Sequence, residues 1–211
     1  MPDKAKVWNK MADKYSRQPI ANQNAYEIKL ELTREYFTPE STVLEFGCGT
    51  GSTAILHAPY VKHIDAIDVS QRMIEIAKAK LAPEGIGNVD FSVADMDTFK
   101  ADPESYDVAL GLNIVHLLDD RMSAMQQVYQ ALKPGGYFVS TTPCLREKMM
   151  FAMMAPLFPI MHAIGQWPRV SRFSAKRLQA DIEATGFKTV HYWQPDNGIS
   201  AFIVAQKPES A

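Results

Sequence analysis

Residues 43–51 read VLEFGCGTG, an apolar run that passes directly into a turn with three glycines, Gly47, Gly49 and Gly51. The apolar run predicts a buried strand, and the small residues after it predict the start of a helix. Glycines at such a junction let the backbone turn tightly and let a ligand lie directly against it. In doubly wound sheets nucleotide-like ligands bind in this crevice, although a glycine triplet by itself also fits an ordinary turn.

Short apolar runs alternate with amphipathic segments from Thr42 onward, a pattern that predicts an α/β protein with a parallel sheet covered by helices. The predicted strands are residues 42–46, 63–68, 89–93, 106–110 and 137–141. The predicted helices are residues 52–58, 70–81 behind a Ser70 cap, about 120–132, and 174–186. Residues 187–193 and 199–205 flank the turn-prone residues 195–198 and predict a closing antiparallel hairpin, while residues 1–41 are expected to form cap helices.

Composition favours one compact domain over residues 1–211, since 46% of the residues are hydrophobic. Twenty-two basic residues against 24 acidic ones leave a net charge of −2, which gives no indication of a nucleic-acid partner. Two isolated cysteines, Cys48 and Cys144, are too few for a disulfide framework or a Cys-based zinc cluster, so we expect no metal. The charged N-terminus lacks the roughly 7 to 15 apolar residues of a secretory signal, and we expect a cytoplasmic protein.

Two acidic residues follow the glycine turn at the ends of the next predicted strands. The glycine spacing departs from the dinucleotide fingerprint G-x-G-x-x-G, because Ser52 stands where the third glycine would be. Asp68 ends the second strand about 20 residues after the turn, where a carboxylate can accept hydrogen bonds from both hydroxyls of a ribose. Asp95 follows the third strand, where it could accept a hydrogen bond from the amine of an adenine. Three successive strand ends thus offer the groups that an adenosine needs.

The ordered motifs VLEFGCGTG, AIDVS, VADMDTF and LKPGGYFV, spread over about residues 42–142, resemble those of class I S-adenosylmethionine-dependent methyltransferases. The resemblance implies a Rossmann-like three-layer sandwich: a seven-stranded, mostly parallel sheet of order 3-2-1-4-5-7-6 with an antiparallel last strand. It implies S-adenosylmethionine as cofactor and S-adenosylhomocysteine as product. Carried over by position, the methionine moiety lies against Glu45, Gly47, Cys48, Gly49, Thr50 and Gly51, the ribose against Asp68, and the adenine against Asp95 and Met96. Val69, Met73 and Asn113 complete the implied cofactor contacts.

The N-terminal residues 8–15, WNKMADKY, resemble the W-x-x-x-A-x-x-Y start of ubiquinone, menaquinone and related small-molecule methyltransferases. In that group the segment helps to close the site, which makes Tyr15 a candidate cofactor contact. Alternatively, Trp8 and Tyr15 only fasten an N-terminal helix to the sheet.

His116 is the candidate catalytic residue. It lies in residues 111–120, GLNIVHLLDD, where this family places acceptor-side residues beside the transferable methyl group. An imidazole with an ordinary pKa of about 6.5 can take a proton near neutral pH, so His116 would act as a base or position the acceptor. The alternative is a packing residue between Val115 and Leu117. His162 is a weaker candidate, and Cys144 has no signature of a nucleophile beyond its proximity.

Residues 145–172 form an insertion after the fifth strand that is rich in methionine. Five of the 11 methionines lie within it, and unbranched thioethers adapt to irregular apolar shapes, as a lid over a hydrophobic acceptor requires. A packed subdomain without ligand contact is the alternative. Basic residues flank its apolar stretch, which would also suit peripheral contact with an anionic membrane; they are Arg146, Lys148, Arg169, Arg172, Lys176 and Arg177.

These features predict methyl transfer to a small apolar or amphipathic acceptor that resembles a quinone, a lipid or a secondary metabolite. A macromolecular methyltransferase is disfavoured, because Asn113 to His116 do not match the D/N-P-P-Y/F motif of amino-methylating nucleic-acid enzymes and no basic domain is appended. A protein that binds an adenosyl ligand without catalysis, and a nicotinamide-dependent dehydrogenase, remain as rivals. The oligomeric state does not follow from the sequence.

Overall fold

The computed structural model describes residues 3–147, 156–164, 166–195 and 199–209. Two predicted features lie outside the described residues. One is the group of lid methionines Met149, Met150, Met153 and Met154, and the other is the hairpin turn at residues 196–198. Among the lid methionines, Met161 is described.

A seven-stranded sheet of order β3-β2-β1-β4-β5-β7-β6 forms the centre of the fold. The strands are β1 Thr42–Phe46, β2 His63–Asp68, β3 Val89–Val93, β4 Tyr106–Leu112, β5 Leu132–Pro143, β6 Lys188–Trp193 and β7 Ser200–Gln206. The first five strands pair in parallel, and β7 runs antiparallel to both β5 and β6. The predicted strand order and the antiparallel last strand are confirmed.

Helices cover both faces of the sheet. They are α1 Lys4–Tyr15, α2 Gln23–Arg34, α3 Ser52–His57, α4 Gln71–Glu84, α5 Arg121–Ala131, α6 Leu157–Ala163 and α7 Ala175–Ala184, with short 3₁₀ turns at Ala58–Tyr60, Val115–Leu117 and Leu145–Glu147. Ser70 and Ser174 cap α4 and α7 through side-chain bonds to the amides of Met73 and Arg177, as the sequence predicts for Ser70.

Alternate residues of the strands enter two separate cores, because successive side chains of a strand point to opposite faces. Leu44 and Phe46 of β1 pack on the face covered by α5 and α7. Val43 of β1 and Ile64 of β2 pack on the opposite face against α3 and α4. The predicted three-layer sandwich is therefore confirmed.

Some element boundaries differ from the predicted ones. Helix α4 continues past Leu81 to Glu84 and ends where Gly85 adopts a left-handed conformation with φ of 65°. Strand β5 begins at Leu132 rather than Tyr137, because Leu132 already pairs with Tyr106 of β4. The glycines after α5 therefore lie within the span of β5, where its register with β4 shifts between Leu132 and Tyr137.

Helix α1 is fastened over the carboxyl ends of β2 and β3 by polar side chains. The Asn9 side-chain oxygen accepts hydrogen bonds from the Ser70 hydroxyl at 2.7 Å and from the Arg72 amide at 3.1 Å. The Arg72 guanidinium also pairs with Asp13 at 2.8 Å. These contacts hold Trp8 and Tyr15 above the glycine turn. No helix in the described part of the chain has both the length and the apolar character needed to cross a bilayer.

Candidate active site

The glycine turn after β1 presents bare backbone at the carboxyl edge of the sheet. Gly47 and Gly49 have φ values of 67° and 55°, a left-handed conformation that side chains disfavour. A Cβ on Gly47 would lie 2.5 Å from Cγ1 of Ile114, and one on Gly49 would lie 3.9 Å from Cε1 of Tyr15. The side-chain position of Gly47 is therefore filled by Ile114, whereas the backbone of Gly49 is open to close approach by a ligand.

The third glycine of the turn, Gly51, has a different role. A Cβ on Gly51 would lie 2.4 Å from Cζ of Phe91 and 2.8 Å from Cβ of Ala77. Gly51 lines neither of the two cavities described below, whereas Gly47 and Gly49 line both. The small size of Gly51 serves the packing of α3 against β3 and α4, and its contact with the methionine moiety stays a prediction.

Asp68 lies at the end of β2 and already accepts two backbone hydrogen bonds. Its Oδ2 accepts from the Gly49 amide at 2.9 Å and its Oδ1 accepts from the Ser70 amide at 2.8 Å. Burial raises the pKa of Asp68, and these two amides counteract part of that rise. Each carboxylate oxygen has a further lone pair, so the side chain is fixed in place and can still accept hydrogen bonds from a ligand.

Asp95 belongs to a cluster of three carboxylates around the amine of Lys4. The Lys4 amine lies 2.7 Å from Asp95 and 3.5 Å from Asp119, and it also bonds Asp97. Burial by itself lowers the pKa of Lys4, but hydrogen bonds to Asp95 and Asp97 more than offset that effect and raise it overall. The cluster ties the first turn of α1 to the loops that follow β3 and β4.

Cavity 1, of about 350 Å³, lies between α1 and the ends of β2, β3 and β4. It is lined by nine of the residues implied as cofactor contacts: Tyr15, Gly47, Gly49, Asp68, Val69, Met73, Asp95, Met96 and Asn113. Apolar side chains, including Trp8, Ile114 and Leu117, form much of the remaining wall. The structure thus brings together the groups that the sequence assigns to an adenosine.

Cavity 2, of about 360 Å³, lies between the glycine turn and α2. Its walls include the other implied methionine-facing residues, Glu45, Cys48 and Thr50. Five residues line both cavities, which are therefore contiguous; they are Tyr15, Gly47, Gly49, Leu112 and Asn113.

Glu45 is a buried acid without a partner on one of its oxygens. The side chain is 3% exposed, and Oε2 forms no hydrogen bond within the described part of the chain. Burial, and to a smaller extent the charge of Asp68, raise the pKa of Glu45 to about 8. An unpaired buried carboxyl is costly, so this site favours a ligand that brings a donor or a positive charge.

Comparison with known proteins identifies the family. A family model described as a methyltransferase domain matches residues 43–136. The uncharacterized methyltransferase YdaC of Bacillus subtilis is 31% identical over 155 residues, which cover 72% of this chain and 75% of that protein. The chain belongs to the class I S-adenosylmethionine-dependent methyltransferases.

Other relatives of the methyltransferase differ in length. A demethylmenaquinone methyltransferase of Leptospira interrogans is 28% identical over 95% of this chain and 91% of that protein. The O-methyltransferase cnsE of Penicillium expansum is 29% identical over 83% of this chain, but the chain spans only 64% of its length. The crystal structure of YcgJ from Bacillus subtilis has the same fold, with a TM-score of 0.71 at 17% identity over 88% of this chain and 100% of that one.

His116 of the methyltransferase lines neither cavity. It lies in the 3₁₀ turn Val115–Leu117, where residues three apart share a face. Ile114 and Leu117 consequently face cavity 1, and the residue between Val115 and Leu117 is turned away from it. Burial lowers the pKa of His116 to about 4, and its Nδ1 has no hydrogen-bond partner in the described residues. This geometry favours the alternative of a packing residue, and the catalytic role of His116 stays a prediction.

Cys144 and His162, the two other residues considered for chemistry in the methyltransferase, differ in their position relative to the cavities. Cys144 is fully buried with its thiol 3.5 Å from the Thr142 carbonyl oxygen, which agrees with a packing role. His162 does line cavity 1, and its Nδ1 lies 3.2 Å from the Trp167 carbonyl oxygen. Because a carbonyl oxygen only accepts, Nδ1 is the donor in this hydrogen bond.

Sequence reasoning missed polar residues that helices α1 and α2 bring to the cavities. Lys4 and Lys29 line cavities 1 and 2 respectively, and Tyr26 of α2 lines cavity 2 with its hydroxyl 3.1 Å from that of Thr53. The sequence contains one usable signal, since Lys29 lies four residues from Ala25 and from Thr33, which are both buried. A lysine on a core-facing helix stripe indicates either a buried partner or a ligand.

Proposed function

We propose that this methyltransferase transfers the methyl group of S-adenosylmethionine to a small apolar or amphipathic acceptor. The observation that carries the proposal is the pair of contiguous cavities, one with the adenosine-binding groups and one with the buried Glu45. The volumes of the two cavities, about 350 and 360 Å³, are in the range of small-molecule sites, as binding of the cofactor requires. Two relatives, named as a demethylmenaquinone methyltransferase and an O-methyltransferase, support a small acceptor.

The residues present fit the cofactor. The free lone pairs of Asp68 would accept from the ribose hydroxyls, and Glu45 would pair with the ammonium of the methionine moiety. The bare backbone of Gly49 permits close contact at the junction of the two cavities. Asp95 already binds Lys4 through Oδ2 and the Asp97 amide through Oδ1, so an adenine amine would use a remaining lone pair.

When bound, S-adenosylmethionine supplies a methyl group that the positive charge of its sulfonium already activates. The protein therefore mainly aligns the acceptor and excludes water, and alignment can contribute up to about 7 to 11 kcal/mol. Tyr15, Leu112 and Asn113 lie where both cavities meet and are proposed to hold the reacting groups in line. Asn113 has a φ of 58°, a left-handed conformation that is uncommon outside glycine and concentrates at functional sites.

The exposed face of α6 supports an amphipathic acceptor or a lipid surface. Leu157 and Ile160 of α6 are 41% and 59% exposed, and Ile164, which follows the helix, is 62% exposed; all three lie in the predicted lid. Arg169 lies near the end of the predicted lid, and its guanidinium is 3.5 Å from the carboxylate of Asp119. We propose peripheral contact with anionic membranes on this basis. Sedimentation with anionic vesicles at low salt tests it, and a protein that stays in the supernatant counts against it.

A cytoplasmic location and a single domain over residues 1–211 also remain proposals, and so does the absence of a nucleic-acid partner. A second function class, binding of an adenosyl ligand without catalysis, would be favoured by tight cofactor binding with no turnover in any acceptor screen.

The decisive experiment is calorimetric titration with S-adenosylmethionine and S-adenosylhomocysteine, followed by a mass-spectrometric screen of quinone-like and phospholipid-like acceptors. Asp68→Ala is expected to weaken binding at least about tenfold, since it removes two potential hydrogen bonds to a charged group. Asp90→Ala, an exposed aspartate on the adjacent strand, is the matched control and should bind normally. Full affinity in Asp68→Ala, or binding of NADH instead, would contradict the proposal.

A further inference from the structure

Lys29 lines cavity 2 and has no ion-pair partner among the described residues. It lies on the face of α2 that also presents the buried Ala25 and Thr33 to the protein interior. The side chain is half-buried and forms part of the cavity wall together with Glu45 and Thr50. Lys29 and Glu45, whose Oε2 has no partner in the described residues, therefore line the same cavity.

The protein itself supplies no anion for this amine. Within the described residues Lys29 forms no ion pair and its amine makes no hydrogen bond, and burial is the only cause that lowers its pKa. A desolvated ammonium without a partner is costly, whereas a lysine on a solvated face carries no such cost. The missing partner is therefore expected to come from a ligand in cavity 2.

The rest of the cavity wall limits the charge of that ligand. His57 also lines cavity 2, but it is completely buried, and burial lowers its pKa to about 3, so it is neutral at pH 7. Both of its ring nitrogens are buried and lack hydrogen-bond partners in the described residues. Lys29 is then the only lysine or arginine among the residues that line cavity 2 and are described. One cation matches a single negative charge, such as a carboxylate, better than a doubly charged phosphate ester.

We propose that Lys29 binds the carboxylate of the methionine moiety of S-adenosylmethionine, while Glu45 binds its ammonium group. The inference rests on the proposed function and extends it to a residue outside every sequence motif. An acid and a base on one cavity wall complement an amino-acid zwitterion, which carries both charges on one carbon. Lys29 is thus a positioning residue that fixes the amino-acid end of the cofactor, so that the sulfur lies at the junction of the two cavities.

Calorimetric titration with two ligands isolates this contact. S-adenosylhomocysteine carries the amino-acid end, and 5′-methylthioadenosine keeps the adenosine and the thioether but lacks it. Lys29→Met is expected to weaken S-adenosylhomocysteine binding by about 10-fold to 100-fold and to leave 5′-methylthioadenosine within about twofold. Lys29→Arg should restore most of the loss, and Lys78→Met, which changes an exposed lysine of α4, is the matched control.

The outcomes separate this inference from the proposed function. Wild-type protein that binds S-adenosylhomocysteine, with Lys29→Met lowering both affinities equally, would show a structural role and overturn the inference. Unchanged S-adenosylhomocysteine affinity in Lys29→Met would overturn it as well and assign the lysine to an anionic acceptor. A folded wild-type protein that binds neither ligand would overturn the proposed function itself. A selective loss for S-adenosylhomocysteine is the expected result.

Discussion

Glu45 couples cofactor binding to proton release. Burial and the nearby Asp68 raise the pKa of Glu45 to about 8, so the carboxyl carries about 0.9 of a proton at pH 7. A bound ammonium group favours the charged carboxylate and lowers that pKa, which expels the proton. By linkage, binding of S-adenosylhomocysteine should release about 0.9 of a proton at pH 7 and about 0.5 at pH 8, and its affinity should rise about fivefold between these pH values.

Titration calorimetry in two buffers of different ionisation enthalpy measures this proton count directly. Glu45→Gln cannot titrate and should release almost none, and its affinity should not rise between pH 7 and pH 8. In wild type, 5′-methylthioadenosine has no ammonium and should also release almost none. Release below about 0.2 of a proton by wild type at pH 7, or equal release by Glu45→Gln, would refute the pairing of Glu45 with the ammonium group.

Three further predictions concern residues whose roles the packing assigns. Gly51→Ala should lower the free energy of unfolding by about 2 to 4 kcal/mol in chemical denaturation, because its Cβ clashes with Phe91. Gly85→Ala, with a similar φ but open space around it, should lower it by about 1 kcal/mol. Equal losses in the two variants would contradict the packing role of Gly51. The folded-state pKa of His57 lies below the ordinary 6.5, so its neutral form contributes stability that is lost as the pH drops below 6.5. Between pH 7 and pH 5 the free energy of unfolding of wild type should fall by about 2 kcal/mol more than that of His57→Gln. Parallel pH profiles of the two proteins would contradict the lowered pKa. His116→Gln should keep kcat within about threefold of wild type in an acceptor assay, because His116 lines neither cavity. A loss of about 100-fold or more in kcat would instead support a catalytic role for His116.

Much of the fold is predictable from local sequence signals. Alternating apolar and amphipathic segments predict five parallel strands, and the bounds of β1, β2 and β3 coincide with those in the structure. Such patterns work because they reflect which side of an element faces the core. Predicted strand boundaries are wrong where pairing with a residue distant in sequence decides them. Leu132 belongs to β5 because it pairs with Tyr106 of β4.

The residues of the candidate site also fall into those that local sequence signals predict and those whose position depends on packing. Glu45, Asp68 and Asp95 lie at or just after the carboxyl ends of strands, and parallel strands bring those ends to one edge whatever the details of packing. Gly51 and His116 lie next to the cavity-lining residues Thr50 and Leu117 in sequence but line neither cavity. Successive side chains of a 3₁₀ turn point about a third of a turn apart, so a neighbour in sequence can face away from the cavity.

By itself, the sequence determined the class of the fold, the glycine turn and the acids at three strand ends, because these depend on the local periodicity and on the parallel order of the strands. The tertiary structure alone decided that Lys4 meets Asp95, more than 90 residues away, and that Lys29 faces the cavity of Glu45. These contacts depend on how α1 and α2 pack over the sheet. That packing is set by the burial and hydrogen bonding of segments far apart in the chain, which no local pattern encodes.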